Sequence, residues 1–265
     1  MGKVIYILLA VVFLGVSACN TSPKAKDKAQ EDETTSSIAE VVPPAPNTLS
    51  EQERNDGWIL MFDGESTGGW RGYGLDAFPV QSWSVEDGAI KCSNSGNGEA
   101  GYDIIFDEQF TNFHFKVDWM IEEGGNSGIF ILGEESDEHK IWYTAPEYQI
   151  LDNNSNHIDN KLGVDGNRRA GSLYDMIASD PALYKGPMEW HSAEIICYEG
   201  TVVFKMDETI TMEFHLWTPE WEEMVAKSKF PGINPNFADV PKTGYIGLQD
   251  HGHAVWFRNL KIQEL

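Results

Sequence analysis

Apolar and polar residues alternate with a period of two along much of this chain. Between residues 113 and 119 every second residue is Phe, Val or Trp, and the residues between them are polar. This pattern predicts a β-strand that buries one face. Residues 83–90 are also strand-like and contain Asp87-Gly88, a pair typical of a tight turn between two strands. We therefore predict short strands separated by glycine turns.

Two longer pairs of strand-like runs predict hairpins. Residues 190–197 and 201–207 are separated by Glu199-Gly200, and residues 244–249 and 254–262 flank the tetrapeptide 250–253. Strands joined by such short connections usually pair with each other, so both pairs are predicted to be antiparallel hairpins. Several short strands with glycine turns favour an all-β antiparallel sandwich.

One segment has a helical pattern instead. Thr218 followed by Pro219 is typical of an N-cap and a first helical residue. The side chains at helical spacing around this start are Trp217, Trp221, Met224, Val225 and Ser228. We predict one short helix on the rim of the sandwich; a helix that binds a partner is the alternative.

The first 18 residues predict a signal peptide. Lys3 precedes an apolar run from residue 4 to residue 16, and small residues lead to Cys19. A positive start, a short apolar segment and a small-residue cleavage site are typical of secretory signals. A cysteine at the cleavage point resembles a bacterial lipobox. We therefore expect Cys19 to carry a lipid and the protein to be exported and anchored to a bacterial membrane, on its periplasmic side or at the outer-membrane surface. A membrane helix or an ordinary cleavage site is the alternative.

The remaining chain divides by composition into a tether and one domain. Residues 19–48 are rich in Ser, Thr, Lys and Glu and end in a proline-rich stretch, so they offer little surface to bury and are predicted to be disordered. From residue 49 to residue 265 aromatic residues become frequent. A length of about 215 residues suits a single β-sandwich domain.

The charge balance narrows the expected partners. A formal net charge of −23, from 42 acidic and 19 basic residues, argues against nucleic acid and against anionic lipid surfaces, since both bind basic patches. We expect a neutral small ligand and membrane contact only through the lipid.

The chain has no Cys-x-x-Cys or His-x-x-x-His spacing, so we predict no metal site and no cofactor. Cys92 and Cys197 lie in strand-like runs. They either form a disulfide or remain as two buried free thiols.

Three polar clusters interrupt the apolar pattern, at residues 147–152, 168–175 and 248–252. Burying an amide without a partner costs roughly 2–7 kcal/mol, and burying an ion costs more. These clusters are therefore expected to meet around a cleft or to face a ligand. The glycine-rich segment 124–128 either lets the backbone approach that ligand closely or forms a plain tight turn.

Strand parity selects residues within the first and third clusters. If Ile150 points to the core, Glu147 and Gln149 point to the opposite face. The same alternation sets Tyr245, Gly247 and Gln249 on one face, with Gly247 leaving room between larger side chains. Amides and carboxylates beside aromatic rings are a sugar-binding composition.

The other candidates carry groups suited to catalysis. Arg169 and Tyr174 bracket a Gly-Ser turn, and either could stabilise negative charge that develops on an oxygen. Asp175 could serve the site or pair with an arginine. His251 stands beside Asp250 and is either an acid–base group held by a carboxylate or an exposed turn histidine. His191 carries a weaker signal, with a surface or core role as the alternative.

An ordered set of motifs resembles the 3-keto-disaccharide hydrolase family. The matching segments, in chain order, are Phe62-Asp63-Gly64 with Gly69-Trp70, then residues 83–88, 125–130, 147–153 and 170–175, then Ser228-Lys229-Phe230 and residues 248–262. Together they span most of residues 54–265. The resemblance implies a concanavalin A-like or laminin G-like jelly roll of the kind common in exported bacterial lipoproteins. It also implies a hydrolase that cleaves glycosides whose glucosyl unit carries a ketone at carbon 3.

The resemblance also suggests roles for the polar clusters. A ketone at carbon 3 acidifies the proton on carbon 2, and β-elimination followed by addition of water then gives net hydrolysis. We expect Glu147 and His251 to be the base–acid pair and Arg169 with Tyr174 to stabilise the enolate. The residues expected to contact substrate hydroxyl groups are Gln149, Asp152, Asp175, Gln249 and His191.

The chain departs from the family at two positions, and two other functions compete. His191 follows Trp190 where the family commonly has Asn, and residues 202–208 replace a commoner hairpin, a change expected to reshape the leaving-group side. A conventional two-carboxylate glycosidase is the first alternative, although Glu147 and Asp152 do not match the tight carboxylate spacing of jelly-roll glucanases. A non-catalytic sugar-binding module is the second.

Overall fold

The computed structural model describes residues 45–93, 101–154 and 162–265. The predicted signal peptide, Cys19 and the predicted tether up to residue 44 lie outside the described residues. The boundary at residue 18 therefore stays a prediction. The boundary at residue 48 lies within the described residues, where Asn47 is buried and exchanges hydrogen bonds with Asn259 of the domain. No helix among the described residues is long and apolar enough to cross a membrane.

The larger of two antiparallel sheets has eight strands. They are β1 (Ile59–Leu60), β3 (Trp83–Glu86), β4 (Ala89–Cys92), β6 (Phe113–Ile121), β9 (His191–Tyr198), β10 (Thr201–Met206), β11 (Thr209–His215) and β13 (Val255–Glu264). Their order is β11-β10-β9-β6-β13-β4-β3, and β1 pairs with β13. Residues alternate strictly between buried and partly exposed along β6, as the sequence pattern predicts. The hairpins β3–β4 and β9–β10 are confirmed.

The second sheet has five strands in the order β2-β5-β12-β7-β8. They are β2 (Trp70–Gly72), β5 (Ile104–Phe110), β7 (Asn126–Gly133), β8 (Glu147–Leu151) and β12 (Gly244–Leu248). One buried cluster contains side chains from both sheets, such as Trp119 and Phe257 from the larger sheet and Ile129 and Ile150 from the smaller one. The sheets therefore share a core, and the predicted two-sheet antiparallel β-sandwich is confirmed.

The second predicted hairpin is wrong. β12 pairs with β5 and β7 in the smaller sheet, whereas β13 pairs with β4 and β6 in the larger one. Residues 250–253 thus carry the chain from one sheet to the other. The side chain of Asp250 anchors this crossing, because its Oδ2 accepts hydrogen bonds from the backbone N–H groups of Gly101 and Tyr102.

The predicted rim helix is confirmed as α2 (Pro219–Lys227), after a short helix α1 (Glu51–Asn55) that the pattern did not indicate. Thr218 caps α2 by accepting a hydrogen bond from the backbone N–H of Trp221. Trp221 and Val225 are buried, so the apolar face of the helix packs on its own domain. Cys92 and Cys197 are buried free thiols.

Candidate active site

The smaller sheet brings the three polar clusters together. Residues 171–174 run beside β8: the N–H of Gly171 donates to the carbonyl of Gln149, and the N–H of Tyr174 donates to that of Glu147. On its other side β8 pairs with β7, which pairs with β12. The N–H of Gln249 donates to the carbonyl of Gly128, which continues this ladder beyond β12. All three clusters therefore border one region of the sheet.

A cavity of ≈ 350 Å³ opens at this place, and we call it the polar cavity. It is lined by Gly101, Asp103, Asn126, Lys140, Trp142, Glu147, Gln149, Tyr174, Lys229, Phe230, Ile233, Gln249, Asp250 and His251. Five of the nine residues predicted to act in catalysis or substrate binding are among them: Glu147, Gln149, Tyr174, Gln249 and His251.

Strand parity accounts for the residues that β8 contributes. Glu147 and Gln149 face the polar cavity, whereas Tyr148 and Ile150 belong to the core cluster. The predicted room at Gly247 is not part of the cavity. A Cβ atom there would stand 2.7 Å from Cδ1 of Ile141, so that side chain already fills the space.

Gly128 makes room for the carboxyl group of Glu147. It lies on β7 opposite Gln149, and a Cβ atom at this position would stand 2.2 Å from Glu147 Oε1. No Cβ atom is tolerated so close to an oxygen. Within the glycine-rich segment 124–128, Gly128 therefore leaves the space that the Glu147 side chain occupies.

Glu147 is a buried carboxyl group with a strongly perturbed pKa. Its side chain is among the buried polar groups, and burial raises its pKa from an ordinary 4.5 to about 8. The positive charge of Lys229 opposes this rise, and the negative charge of Asp103 adds to it. A carboxyl group that titrates near ambient pH suits a catalytic acid or base.

The amide of Gln149 is placed to donate to Glu147. In the orientation that satisfies its neighbours, Nε2 donates to Glu147 Oε1 at 3.0 Å and to the carbonyl of Ser127 at 3.3 Å. An ionised carboxylate accepts such a bond through either oxygen, and a neutral acid accepts it through its carbonyl oxygen. Gln149 can therefore hold the carboxyl group in place in both protonation states.

Lys229 and Tyr174 form a cationic, hydrogen-bonding pair at the polar cavity. Lys229 Nζ donates to the hydroxyl of Tyr174 at 3.0 Å and lies 4.3 Å from the centroid of its ring. Asp175 fixes the backbone of Lys229, because its Oδ2 accepts a hydrogen bond from the backbone N–H of Lys229 at 2.7 Å. A cation and a hydroxyl group at one wall can stabilise negative charge on a substrate oxygen.

A second buried carboxyl group, Asp103, anchors the loop that carries His251. Asp103 Oδ1 accepts from the backbone N–H of Asp250 at 2.9 Å. Burial raises the pKa of Asp103 to about 7, and the negative charge of Asp250 adds to the rise. His251 itself is exposed at the polar cavity, 5.9 Å from the ring of His253. The predicted role of Asp250 as the carboxylate that holds His251 stays a prediction.

Two of the remaining predicted residues, Arg169 and Asp152, lie outside the polar cavity. Arg169 packs its guanidinium against Gly166, so the structure does not bring it to the cavity beside Tyr174. Asp152 is buried and holds backbone and side-chain groups instead. Its carboxylate accepts from the N–H of Gly124 and from the hydroxyl of Tyr184. A contact between Asp152 and substrate does not fit this position.

Asp175 and His191 also lie outside the polar cavity. Asp175 pairs with Arg168, the arginine partner that was its alternative role. His191 is enclosed between the rings of Trp119 and Tyr184, and its Nδ1 lies 3.0 Å from Asp207 Oδ2. Burial lowers its pKa. Neither His191 nor any of residues 202–208, the two departures from the family pattern, lines the polar cavity.

Several cavity residues were not indicated by the sequence patterns. Lys229 and Asn126 lie inside motifs that carry the family resemblance, and that position was their only signal. Asp103, Lys140 and Trp142 had none, because an isolated polar or aromatic residue before a strand or in a loop resembles ordinary surface. Within the described ranges, no group of three or more His, Cys, Asp or Glu side chains is arranged to hold a metal ion.

Comparisons with known proteins agree on one family. The family model for the 3-keto-alpha-glucoside-1,2-lyase-like domain matches residues 57–263. A 3-keto-disaccharide hydrolase of Bacteroides thetaiotaomicron is 39% identical over 291 aligned positions that cover 100% of both chains.

Solved structures agree on the fold. A candidate glycosyl hydrolase from Parabacteroides distasonis superposes with a TM-score of 0.73 at 28% identity, covering 83% of this chain and all of the other. A second such protein from the same species, at 22% identity and a TM-score of 0.57 over 74% of this chain, supports the fold alone.

Proposed function

The chain belongs to the 3-keto-disaccharide hydrolase family, and we propose that it hydrolyses 3-keto-disaccharides in the polar cavity by elimination and hydration. The observation that carries this proposal is the position of Glu147. It is a buried carboxyl group with a pKa of about 8, and it shares its cavity with the cation of Lys229 and the hydroxyl of Tyr174. A base and an oxyanion site are the two elements that enolate chemistry needs.

The proposed reaction begins at carbon 2 of the keto sugar. Ionised Glu147 takes the proton from carbon 2, and the electron pair delocalises onto the carbon 3 oxygen, where Lys229 and Tyr174 stabilise the enolate. The enolate then expels the glycosidic oxygen from carbon 1, which leaves a carbon 1–carbon 2 double bond. His251 gives its proton to the departing alcohol. Water adds across the double bond, so the sum is hydrolysis.

Lys229 here takes the role that the sequence suggested for Arg169. Its ammonium donates to Tyr174 inside the polar cavity, whereas Arg169 packs on Gly166 outside it. Gln149 keeps Glu147 hydrogen-bonded before and after proton transfer, and Asn126 and Gln249 remain available for substrate hydroxyl groups.

The second candidate is a conventional two-carboxylate glycosidase that uses Glu147 and Asp103. Both carboxyl groups line the polar cavity, which is the observation in its favour. Such an enzyme needs one protonated and one ionised carboxyl group at the same pH. Burial raises the pKa of Glu147 to about 8 and that of Asp103 to about 7, so an ionised Asp103 beside a protonated Glu147 would predominate only between about pH 7 and pH 8. A two-carboxylate mechanism also gives no role to the hydrogen-bonded pair of Lys229 and Tyr174, which the elimination uses to stabilise the enolate. The elimination reaction is the better match.

Paired incubations test the proposal. The purified protein should cleave 3-keto-trehalose and leave unmodified trehalose intact, with glucose release measured by chromatography. Cleavage of trehalose alone would favour the two-carboxylate glycosidase. Binding of the keto sugar without cleavage would favour a sugar-binding module.

Export and lipid anchoring remain part of the proposal, supported by the sequence around Cys19. Incorporation of labelled palmitate in cells, lost in Cys19→Ala, is the expected result. Unchanged incorporation in that variant would contradict it.

A further inference from the structure

A second cavity adjoins the polar cavity at Lys140, and we call it the side cavity. It has a volume of ≈ 310 Å³ and is lined by Tyr73, Gly74, Leu75, Tyr102, Ser136, Asp137, Glu138, His139 and Lys140. Lys140 lines both cavities. Tyr102 of the side cavity lies in sequence between Gly101 and Asp103, which line the polar cavity. The two cavities therefore meet along one boundary.

Aromatic rings and polar groups surround this boundary. Lys140 Nζ lies 5.6 Å from the centroid of the Tyr102 ring. The ring of His139 stacks on Tyr143 with centroids 4.7 Å apart. Trp142, on the polar-cavity side, is 38% exposed despite its size. Ring faces beside charged and hydroxyl groups form the lining expected of a site that binds a sugar.

The volumes suit a division of a disaccharide between the two cavities. Pockets for small molecules span about 300–1,000 Å³, so each cavity alone is near the lower limit of that range. Together they provide two adjoining compartments, and only the polar cavity contains Glu147.

We propose that the side cavity binds the unit that leaves during cleavage, a neutral hexose in a disaccharide, with the glycosidic bond crossing the boundary beside Lys140. This inference rests on the proposed function. A larger cavity on the far side of the side cavity, with which it shares Gly74, Leu75, Ser136 and Asp137, is a poorer choice, because it shares no lining residue with the polar cavity. Its arginine, Arg71, is already paired with Asp107 and Glu135.

Two substrates that differ only in the leaving unit test this assignment. The purified protein is assayed on 3-keto-trehalose and on methyl 3-keto-α-glucopyranoside, whose leaving group is methanol. The ratio of the two kcat/KM values should fall about tenfold in Tyr102→Ala, since the loss of about 1.4 kcal/mol of contact affects only the disaccharide. His139→Ala should lower the ratio in the same direction, and thermal melts establish that each variant is folded.

The matched control is Tyr198→Ala. Tyr198 is an exposed tyrosine at the end of β9 that lines neither cavity, so its ratio should equal that of the wild type. Equal losses on both substrates in Tyr102→Ala and His139→Ala, or no loss on either, would overturn the assignment while leaving the proposed function intact. Failure of the wild type to cleave both keto substrates would overturn the two together.

Discussion

The two sheets of this sandwich contain glutamates in opposite environments. In the larger sheet Glu194 lies on the partly exposed face of β9, hydrogen-bonded to His114 and close to Lys116 and Lys205. In the smaller sheet Glu147 is buried on the face of β8 that lines the polar cavity. Glu194 is therefore close to two lysines, whereas Glu147 faces the amide of Gln149 and a single nearby lysine, Lys229.

The contrast appears in their proton affinities. The hydrogen bond from His114 and the charges of the two lysines lower the pKa of Glu194 to about 2. Burial raises the pKa of Glu147 to about 8. A carboxylate that stabilises a sheet is paired and stays ionised, whereas a carboxyl group poised for proton transfer is desolvated and only partly compensated. The perturbation that destabilises ionised Glu147 is what suits it to act as a base.

Substituting each glutamate gives the largest expected difference in activity. Glu147→Gln should lower kcat on 3-keto-trehalose by about 10³-fold, because general-base catalysis contributes roughly 10²–10⁴-fold. Glu194→Gln, the matched change in the other sheet, should leave kcat within a factor of about two, because Glu194 does not line the polar cavity. Equal losses in the two variants would show that Glu147 is not the base.

Removing the cation of the polar cavity should have the next largest effect. Lys229→Met should lower kcat by about 10²-fold through loss of oxyanion stabilisation. It should also move the acidic limb of the pH–rate profile to higher pH, because the charge of Lys229 lowers the pKa of Glu147, which must be ionised to act as the base. Lys227→Met is the control, since Lys227 is exposed on α2 and bonded to Glu223. An unshifted limb in Lys229→Met would contradict the coupling.

Filling the space at Gly128 should have a smaller effect. Gly128→Ala would set a Cβ atom 2.2 Å from Glu147 Oε1, so the carboxyl group must move. We expect kcat to fall about tenfold, since misplacement of a catalytic group by about 1 Å costs up to 10²-fold. Gly68→Ala is the control. Its new Cβ atom would meet only Ser66 Oγ, at 3.5 Å, so kcat should be unchanged. Wild-type kcat in Gly128→Ala would mean that Glu147 has freedom to shift.

The smallest effects are on stability, and the two glutamates should differ in sign. Folded Glu147 binds its proton more tightly than the unfolded chain, so its contribution is complete below pH 4.5 and is lost as the pH rises to about 8. Glu147→Gln should therefore raise the melting temperature at pH 9 by several degrees, at roughly 2–4 °C per kcal/mol, and change it less at pH 4.5.

Glu194 should behave in the opposite way. Its pKa is lowered to about 2, so its contribution is present above pH 4.5 and is lost as the pH falls towards 2. Glu194→Gln should lower the melting temperature at pH 9. Calorimetry of both variants at pH 4.5 and pH 9 checks the pair, and shifts of the same sign at pH 9 would refute the contrast.

Much of the fold could be predicted from sequence because its signals are local. Alternation along β6, the Glu199-Gly200 turn and the Thr218 cap each depend on residues within a few positions of one another. The crossing at residues 250–253 could not be predicted, because a short connection between two strands looks alike whether they share a sheet or not. Only the pairing of β13 with β6 and β4 separates the two cases.

For the candidate site, the sequence by itself determined which side chains share a face. Parity along β8 put Glu147 and Gln149 opposite Ile150, and the ordered motifs indicated the family, since both are properties of the chain read in order. Tertiary structure decided which of those side chains share a cavity. Lys229 reaches Tyr174 across 55 positions, and the amide of Asp250 reaches Asp103 across 147. The raised pKa of Glu147 is caused by burial, which depends on all the residues packed around its carboxyl group. It therefore arises only in the folded chain.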